Sequence, residues 1–536
     1  MIRRRPGAGR GPAGPAPAPP GTLPELLAHR AAAHGERTAI VNGQARLGFA
    51  DWQDRSGALA GALRQAGLAA GDRVVLWFGT ESWTQYAVAF LAVLRAGGVA
   101  VPLSDRTSPA GTRHVFADAG ARLVVSAGPG LPAGVPPGVR ALVEDGASPH
   151  QALVEDGASP HQALPDPAAP GPSAPAQILY TSGTTGAPKG VVAAHANLVH
   201  GCTRDERRRP LRHSRTFLHA FPVGSNAGQT MLVNALNAEA TCVTAPQFTP
   251  ARFLRAVAEH GVGSVFVVPA MAIELLGSPA LASAADAGGL DTVRLVGSTA
   301  AALPQQVALD LSRAFAPAQI VNYYTSTEAA PAQVTLLFDA ARPQSPGRPA
   351  SLTDLRVTDG AGRPVPPGGT GELWLRSPTA PRAYLGGADV EVFHGGWTRM
   401  GDLGRVDEDG FLHLVDRERD VVKSGGHKVS TLQVENALHA HPDVVDAAAV
   451  GVPHPVLGSV VAAAVVPRGT DPVGSGGDRD RLTASAVRAF LLGLLSPHEL
   501  PSPIVFLDAL PRNEGGKVLK RDLRRILTPD PREATP

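Results

Sequence analysis

The chain has 536 residues, 43% of them hydrophobic, and a net charge of +2. That length exceeds one hydrophobic core and calls for two or more domains, while the near-zero charge gives no electrostatic case for nucleic acid or an anionic membrane. Two cysteines, Cys202 and Cys242, exclude a disulfide framework and a cysteine metal cluster and fit a cytoplasmic compartment; no apolar run reaches membrane-spanning length.

The opening MIRRR is followed by Gly, Pro and Ala with no apolar stretch, so residues 1–21 read as a disordered tail. Helical spacing predicts helices over 23–33, 52–66 and 83–96. Apolar runs predict strands over 72–78, 99–103 and 122–126. Strands alternating with helices argue for a parallel, helix-covered sheet. Residues 127–175 break the pattern. They are rich in Pro, Gly and Ala, and ALVEDGASPHQ at 141–151 recurs at 152–162. One eleven-residue copy is too short for a solenoid unit of about 20–50 residues, so this segment reads as an exposed, poorly ordered loop without a catalytic role.

Alternation resumes at 177. Strands are expected over 177–179, 215–220, 240–244, 264–268, 291–296 and 319–322, with helices over 249–260 and 303–315. Beyond 340, strands such as 371–376 lie between Pro/Gly turns and suggest a β-rich subdomain. After about 416 a small α+β domain is expected, with helices at 431–440 and 481–492 and strands at 444–451, 459–466 and 503–507. The fold class is therefore α/β: a large domain over 22–416 and a small mobile α+β domain over 417–536.

The densest chemistry is YTSGTTGAPKG at 180–190. Glycines free backbone N–H groups to wrap an oxyanion, the hydroxyls add donors, and Lys189 adds charge. The spacing does not fit the common P-loop. VGSTAAAL at 296–303 ends a strand in small residues, against which a flat heteroaromatic ring can lie.

The 180–190 loop resembles the phosphate-binding signature of the adenylate-forming (AMP-binding) superfamily, which includes acyl-CoA synthetases and stand-alone adenylation enzymes. Further motifs follow in the superfamily's order. The resemblance implies that Thr181, Ser182, Gly183, Thr184, Thr185, Gly186 and Lys189 grip the phosphates of ATP, and that Ser298, Thr299 and Ala300 form the adenine turn. NYYTSTE at 322–328 is similar to N-x-Y-G-x-T-E. It implies Tyr324 stacked on adenine, Thr327 on the α-phosphate and Glu328 on Mg²⁺, hard oxygen donors for a hard cation. Thr325 stands where glycine is usual and should narrow the acid pocket.

GWTRMGD at 396–402 resembles the ribose motif, with Met400 replacing threonine and Asp402 as the acceptor for the ribose hydroxyls. DRERD at 416–420 resembles the domain-boundary motif. It implies Arg417 on the ribose and Asp420 as hinge, with Asp416 replacing a glycine. SGGHKVS at 424–430 resembles the pantetheine-tunnel loop of acyl-CoA synthetases, giving Gly425 and Gly426 to the thiol channel. PRNEGGK at 511–517 implies Lys517 as the catalytic lysine.

The resemblance covers the chain apart from the tail and the duplicated loop. It implies ATP-dependent activation of a carboxylic acid to an acyl-adenylate, then transfer to a thiol. CoA is the expected acceptor, with the phosphopantetheine of a separate acyl or peptidyl carrier protein, or another nucleophile, as alternatives; an inactive nucleotide-binding homologue is the further alternative. The candidate acid pocket is Ser225, Asn226, Val268, Met271, Gly297 and Thr325. It implies a small or medium acid, aryl or short aliphatic, with no nucleic-acid or membrane partner.

Overall fold

The computed structural model describes residues 18–128, 130–145, 170–181, 187–349, 351–387, 391–469 and 482–528. Most of the expected tail, the second copy of the repeat, and Ser182, Gly183, Thr184, Thr185 and Gly186 of the phosphate loop lie outside those residues. Order begins before residue 22: Pro20 is buried, and the Gly21 N–H donates to Glu25 at 3.0 Å. Thr22 caps the helix Leu23–His34 by accepting from Glu25 N–H.

Two parallel-cored sheets form the large domain. In the first, Pro175–Thr181, Val99–Ser104, Arg73–Phe78, Leu123–Ser126 and Arg140–Val143 run parallel, and Lys189–Ala194 and Ala383–Tyr384 close one edge antiparallel. In the second, Thr38–Asn42, Thr241–Thr244, Thr216–His219, Ser264–Val267, Leu295–Ser298 and Gln319–Tyr324 run parallel. The helix Trp83–Arg95 packs on strands of both sheets and is buried on nearly every face. A helix apolar all round belongs in an interior, and this one sits at the centre of the main core.

A third, antiparallel sheet holds Leu355–Thr358, Gly371–Arg376, Trp397–Val406, Phe393–His394 and Leu412–Arg417, which is the β-rich subdomain expected beyond 340. The chain then enters a fourth sheet at Val422–Ser424. Its long hairpin Val444–His454 with Gly458–Pro467 is covered by Thr431–His439, Ala484–Leu491 and Lys520–Leu527. The mixed α/β class with a small α+β domain is thus the observed one.

Some expectations are corrected. The 127–175 segment is not irregular throughout. Arg140–Val143 adds an edge strand, Leu142 is buried, and Glu144 takes an ion pair from Arg55. The first repeat copy therefore begins as structure. The strand expected over 291–296 starts only at Leu295, because the backbone before it is held in turns, with Asp291 N–H on Gly288 O and Val293 N–H on Leu290 O. A helix at Pro109–Ala119 went unforeseen, although Ser108 caps it, Pro109 opens it and Gly120 ends it at φ +60°.

Candidate active site

The candidate residues converge at the carboxyl ends of the parallel strands Leu295–Ser298 and Gln319–Tyr324, where open α/β sheets hold ligands. Past the first strand, Ala300 is held at φ +74°, a left-handed conformation rare for a residue with a Cβ. Ser298 is buried, and its hydroxyl has no hydrogen-bond partner among the described residues. The Thr299 hydroxyl lies 3.4 Å from the Tyr323 carbonyl, which ties the turn to the next strand.

The third sheet brings its own residues to this edge. Asp402 and Arg417 are register partners on Trp397–Val406 and Leu412–Arg417. Arg417 Nε lies 3.3 Å from Asp402 Oδ1, and the Tyr324 hydroxyl donates to Asp402 Oδ2 at 2.7 Å. Burial and the Asp402 carboxylate push the Tyr324 phenol well up, so it remains a donor. A carboxylate has about four lone-pair sites, so Asp402 keeps acceptor capacity. Met400, in threonine's usual place, packs into the apolar cluster beside Tyr324.

The small domain supplies Lys517. Its turn is tight: Asn513 N–H donates to the Lys517 carbonyl at 2.9 Å, and Asn513 Oδ1 accepts from Lys517 N–H at 2.9 Å. Gly516 has φ +79°, and a Cβ there would meet Val268 Cγ2 at 2.8 Å, so the turn lies directly on the large domain. The Ser104 hydroxyl donates across the same interface to Glu514 at 2.6 Å. Burial, with Arg417 and Arg419 nearby, pushes the Lys517 ammonium down to about 8 against the pull of Asp402 and Asp420.

Glu328 lies beyond Tyr324, half-buried, and one of its oxygens accepts from the Tyr384 hydroxyl at 3.0 Å. Its other oxygen accepts no hydrogen bond among the described residues. A carboxylate, with the hydroxyl of the preceding residue Thr327, offers the hard oxygen donor types that Mg²⁺ takes. Lys189 sits over the Tyr384 ring, 5.0 Å from its centre. Arg382 is buried and donates to the Thr327 carbonyl at 3.0 Å. No local pattern in 377–387 singles out Arg382 and Tyr384. Their signal was positional, a short strand of the later chain crossing onto the return strand of the phosphate loop.

The acid-pocket candidates divide. A Cβ on Gly297 would meet Tyr323 Cε2 at 2.7 Å and Phe266 Cδ1 at 2.8 Å, so two rings cover that glycine. The Tyr323 hydroxyl has no hydrogen-bond partner among the described residues, and burial pushes it up to about 12. Ser225 caps the helix Asn226–Asn237, with its hydroxyl between Gly228 N–H and the Pro222 carbonyl. The Thr325 hydroxyl donates to the Ala332 carbonyl at 2.6 Å. Asn226 Oδ1 lies 3.5 Å from Arg382, and Met271 is packed in the main core. Gly425 and Gly426, at φ +52° and +88°, form the two-residue turn between Val422–Ser424 and His427–Val429.

The profile of the AMP-binding enzyme matches residues 27–385, and that of the AMP-binding enzyme C-terminal domain matches 433–517. The chain belongs to the AMP-binding enzyme family. This AMP-binding enzyme is an ATP-dependent acid–thiol ligase of the adenylate-forming superfamily. It is 32% identical to a feruloyl-CoA synthase of Amycolatopsis sp over 91% of this chain and 95% of that protein. It is also 32% identical to the fatty acid–[acyl-carrier-protein] ligase ScoC of Streptomyces coeruleorubidus over 92% and 94%. Among solved structures, ATP-bound MatB from Rhodopseudomonas palustris superposes with a TM-score of 0.75 at 27% identity, covering 94% and 98% of the two chains. The anthranilate CoA ligase AuaEII shares the fold at 0.79 and 21% identity, covering 95% and 97%. No described helix of the AMP-binding enzyme is long and apolar enough to cross a membrane.

Proposed function

We propose that this enzyme activates a small or medium carboxylic acid, aryl or short aliphatic, as its acyl-adenylate and then transfers the acyl group to CoA. The observation that carries this reading is the convergence of Tyr324, Asp402, Arg417 and Lys517 from two domains on one strand edge. In the first step a carboxylate oxygen bonds to the α-phosphorus of ATP, and the α–β anhydride bond breaks as pyrophosphate leaves. The barrier is largely repulsion between anions, which positioning and fixed positive charge relieve. Lys517 meets the carboxylate and the α-phosphate, Lys189 and the 181–186 donors hold the phosphates, and Asp402 with Arg417 holds the ribose. Mg²⁺, when bound, offsets triphosphate charge, and Glu328 with Thr327 would hold it.

In the second step the small domain turns about Asp420, Lys517 withdraws, and the Gly425–Gly426 turn admits the thiol. The thiol proton passes to solvent, the sulfur bonds to the acyl carbon, and the bond from that carbon to the phosphate oxygen breaks as AMP leaves. The small-acid reading draws support from the two rings over Gly297, and the aryl reading from the likeness to a feruloyl-CoA synthase. Loading of a separate carrier protein is the second reading, supported by the likeness to an acyl-carrier-protein ligase.

The test is pyrophosphate exchange into ATP over a panel of carboxylic acids, without thiol. Exchange confined to small aryl or short aliphatic acids is the expected result. Exchange only with long-chain acids overturns the substrate class, and none with any acid despite ATP binding overturns the activity.

A further inference from the structure

The segment 379–385 leaves the third sheet and crosses to the first. The Thr379 hydroxyl and the Ala380 carbonyl each accept from Asn197 Nδ2 at 2.8 Å. Ala383 and Tyr384 pair with Val192 and Val191, and Leu385 N–H donates to the Gly190 carbonyl at 2.8 Å. This strap is thus bonded to the backbone that returns from the phosphate loop. Its two large polar side chains face inward. Tyr384 donates to Glu328 and puts its ring beneath Lys189. Arg382, only 6% exposed, grips the Thr327 carbonyl and lies near Asn226, while its Nε has no partner among the described residues. Burial pushes this guanidinium down to about 10, with the Glu328 carboxylate opposing the shift. A buried charge is expensive to hold.

We propose that Tyr384 and Arg382 are positioning residues: the strap holds Glu328 and Lys189 in the orientation that receives metal-bound triphosphate. The phenol fixes one Glu328 oxygen and turns the other outward. Arg382 fixes the backbone carrying Thr327 and Glu328 and balances the carboxylate until a cation arrives. The inference rests on the reading of Glu328 as the carboxylate that serves Mg²⁺.

The experiment is equilibrium ATP binding by calorimetry over a Mg²⁺ titration, with Glu328→Gln, Tyr384→Phe, Tyr384→Leu, Arg382→Lys and Arg382→Met. Each variant is first matched to the native chain by circular dichroism and melting temperature. Tyr384→Phe keeps the ring and the fold but drops the donor, so the Mg²⁺ midpoint should rise by about tenfold, as for a lost bond to a charged group. Tyr384→Leu should raise it further and also weaken Mg²⁺-free ATP binding, through Lys189. Arg382→Lys should recover part of what Arg382→Met loses. A folded Tyr384→Phe with an unchanged midpoint, beside a Glu328→Gln that raises it, overturns the strap's role and leaves the metal reading standing. A Glu328→Gln with an unchanged midpoint overturns both.

Discussion

The two ends of the candidate cleft are made by different means. The nucleotide end is polar and is completed across domains: Tyr324 and Asp402 come from the large domain and Lys517 from the small one. The acid end is aromatic and lies within one sheet, where Phe266, Gly297 and Tyr323 stand on three neighbouring strands. A hydrogen-bonded constellation can be assembled by a moving part, because each contact is local and directional. A packed wall has to be continuous to set a size limit. The difference teaches that chemistry and selectivity should respond to separate substitutions.

Replacing Lys517 should break the nucleotide end hardest. Lys517→Ala is expected to lower pyrophosphate exchange by about 100- to 1,000-fold, the range for one lost charge-stabilising donor, while ATP binding persists. In the proposed role of Lys517 the protonated ammonium is the working form. With its pKa pushed down to about 8, kcat/KM should be level below that pH and fall as pH rises through it. Lys517→Arg should carry the falling limb upward, since a guanidinium stays charged. A limb that does not move with Lys517→Arg would assign it to another group.

The acid end should answer with selectivity instead. Tyr323→Ala uncovers Gly297 and should shift kcat/KM toward bulkier acids by at least about tenfold, the discrimination that even one methylene can give. Tyr323→Phe should leave the preference unchanged, because the lost hydroxyl has no partner among the described residues. Exchange rates over a size series of acids check both. If Tyr323→Ala slows all acids equally, the ring is wall to the sheet and not to the substrate.

The two ends also differed in legibility. Tyr324, Asp402, Arg417 and Lys517 stood in contiguous motifs, since each group depends on a short local turn or strand end. The strands of the large domain were readable for a similar reason: apolar runs such as 73–78 announce themselves. Tyr323 and Phe266 did not, because what joins them is the register Phe266↔Gly297, which no local pattern contains. Tyr384 and Arg382 were hidden likewise by a strand that pairs across sheets. Ser225 and Thr325 are expected in the acid pocket from their motifs, and the structure adds what no local pattern contains, that their hydroxyls bond to nearby backbone, a use Ser and Thr often find.

The smallest expected effect concerns how the nucleotide end is kept closed. Asp416 replaces a glycine of the boundary motif, and its carboxylate is used fully: it accepts from Thr431 N–H at 2.5 Å, from the Thr431 hydroxyl at 3.0 Å and from Arg417 N–H at 2.7 Å. Thr431 opens the small domain's helix Thr431–His439, so Asp416 binds a helix N-terminus across the chain's passage between domains. Lys520 lies 3.3 Å from Asp420 and 3.5 Å from Glu435 and joins the same cluster through the Thr431 hydroxyl at 2.9 Å. A rotation about Asp420 would have to break the Asp416–Thr431 contacts, which a glycine at 416 would not make. Asp416→Gly should therefore lower stability by about 1 kcal/mol, the worth of a helix cap. It should leave pyrophosphate exchange nearly unchanged and speed thioester formation by roughly fivefold, the same energy read as a population ratio. Single-turnover transfer from preformed adenylate measures the last of these. A transfer rate identical to that of the native chain would mean that the Asp416 contacts survive the second step, and that the moving boundary lies beyond Thr431.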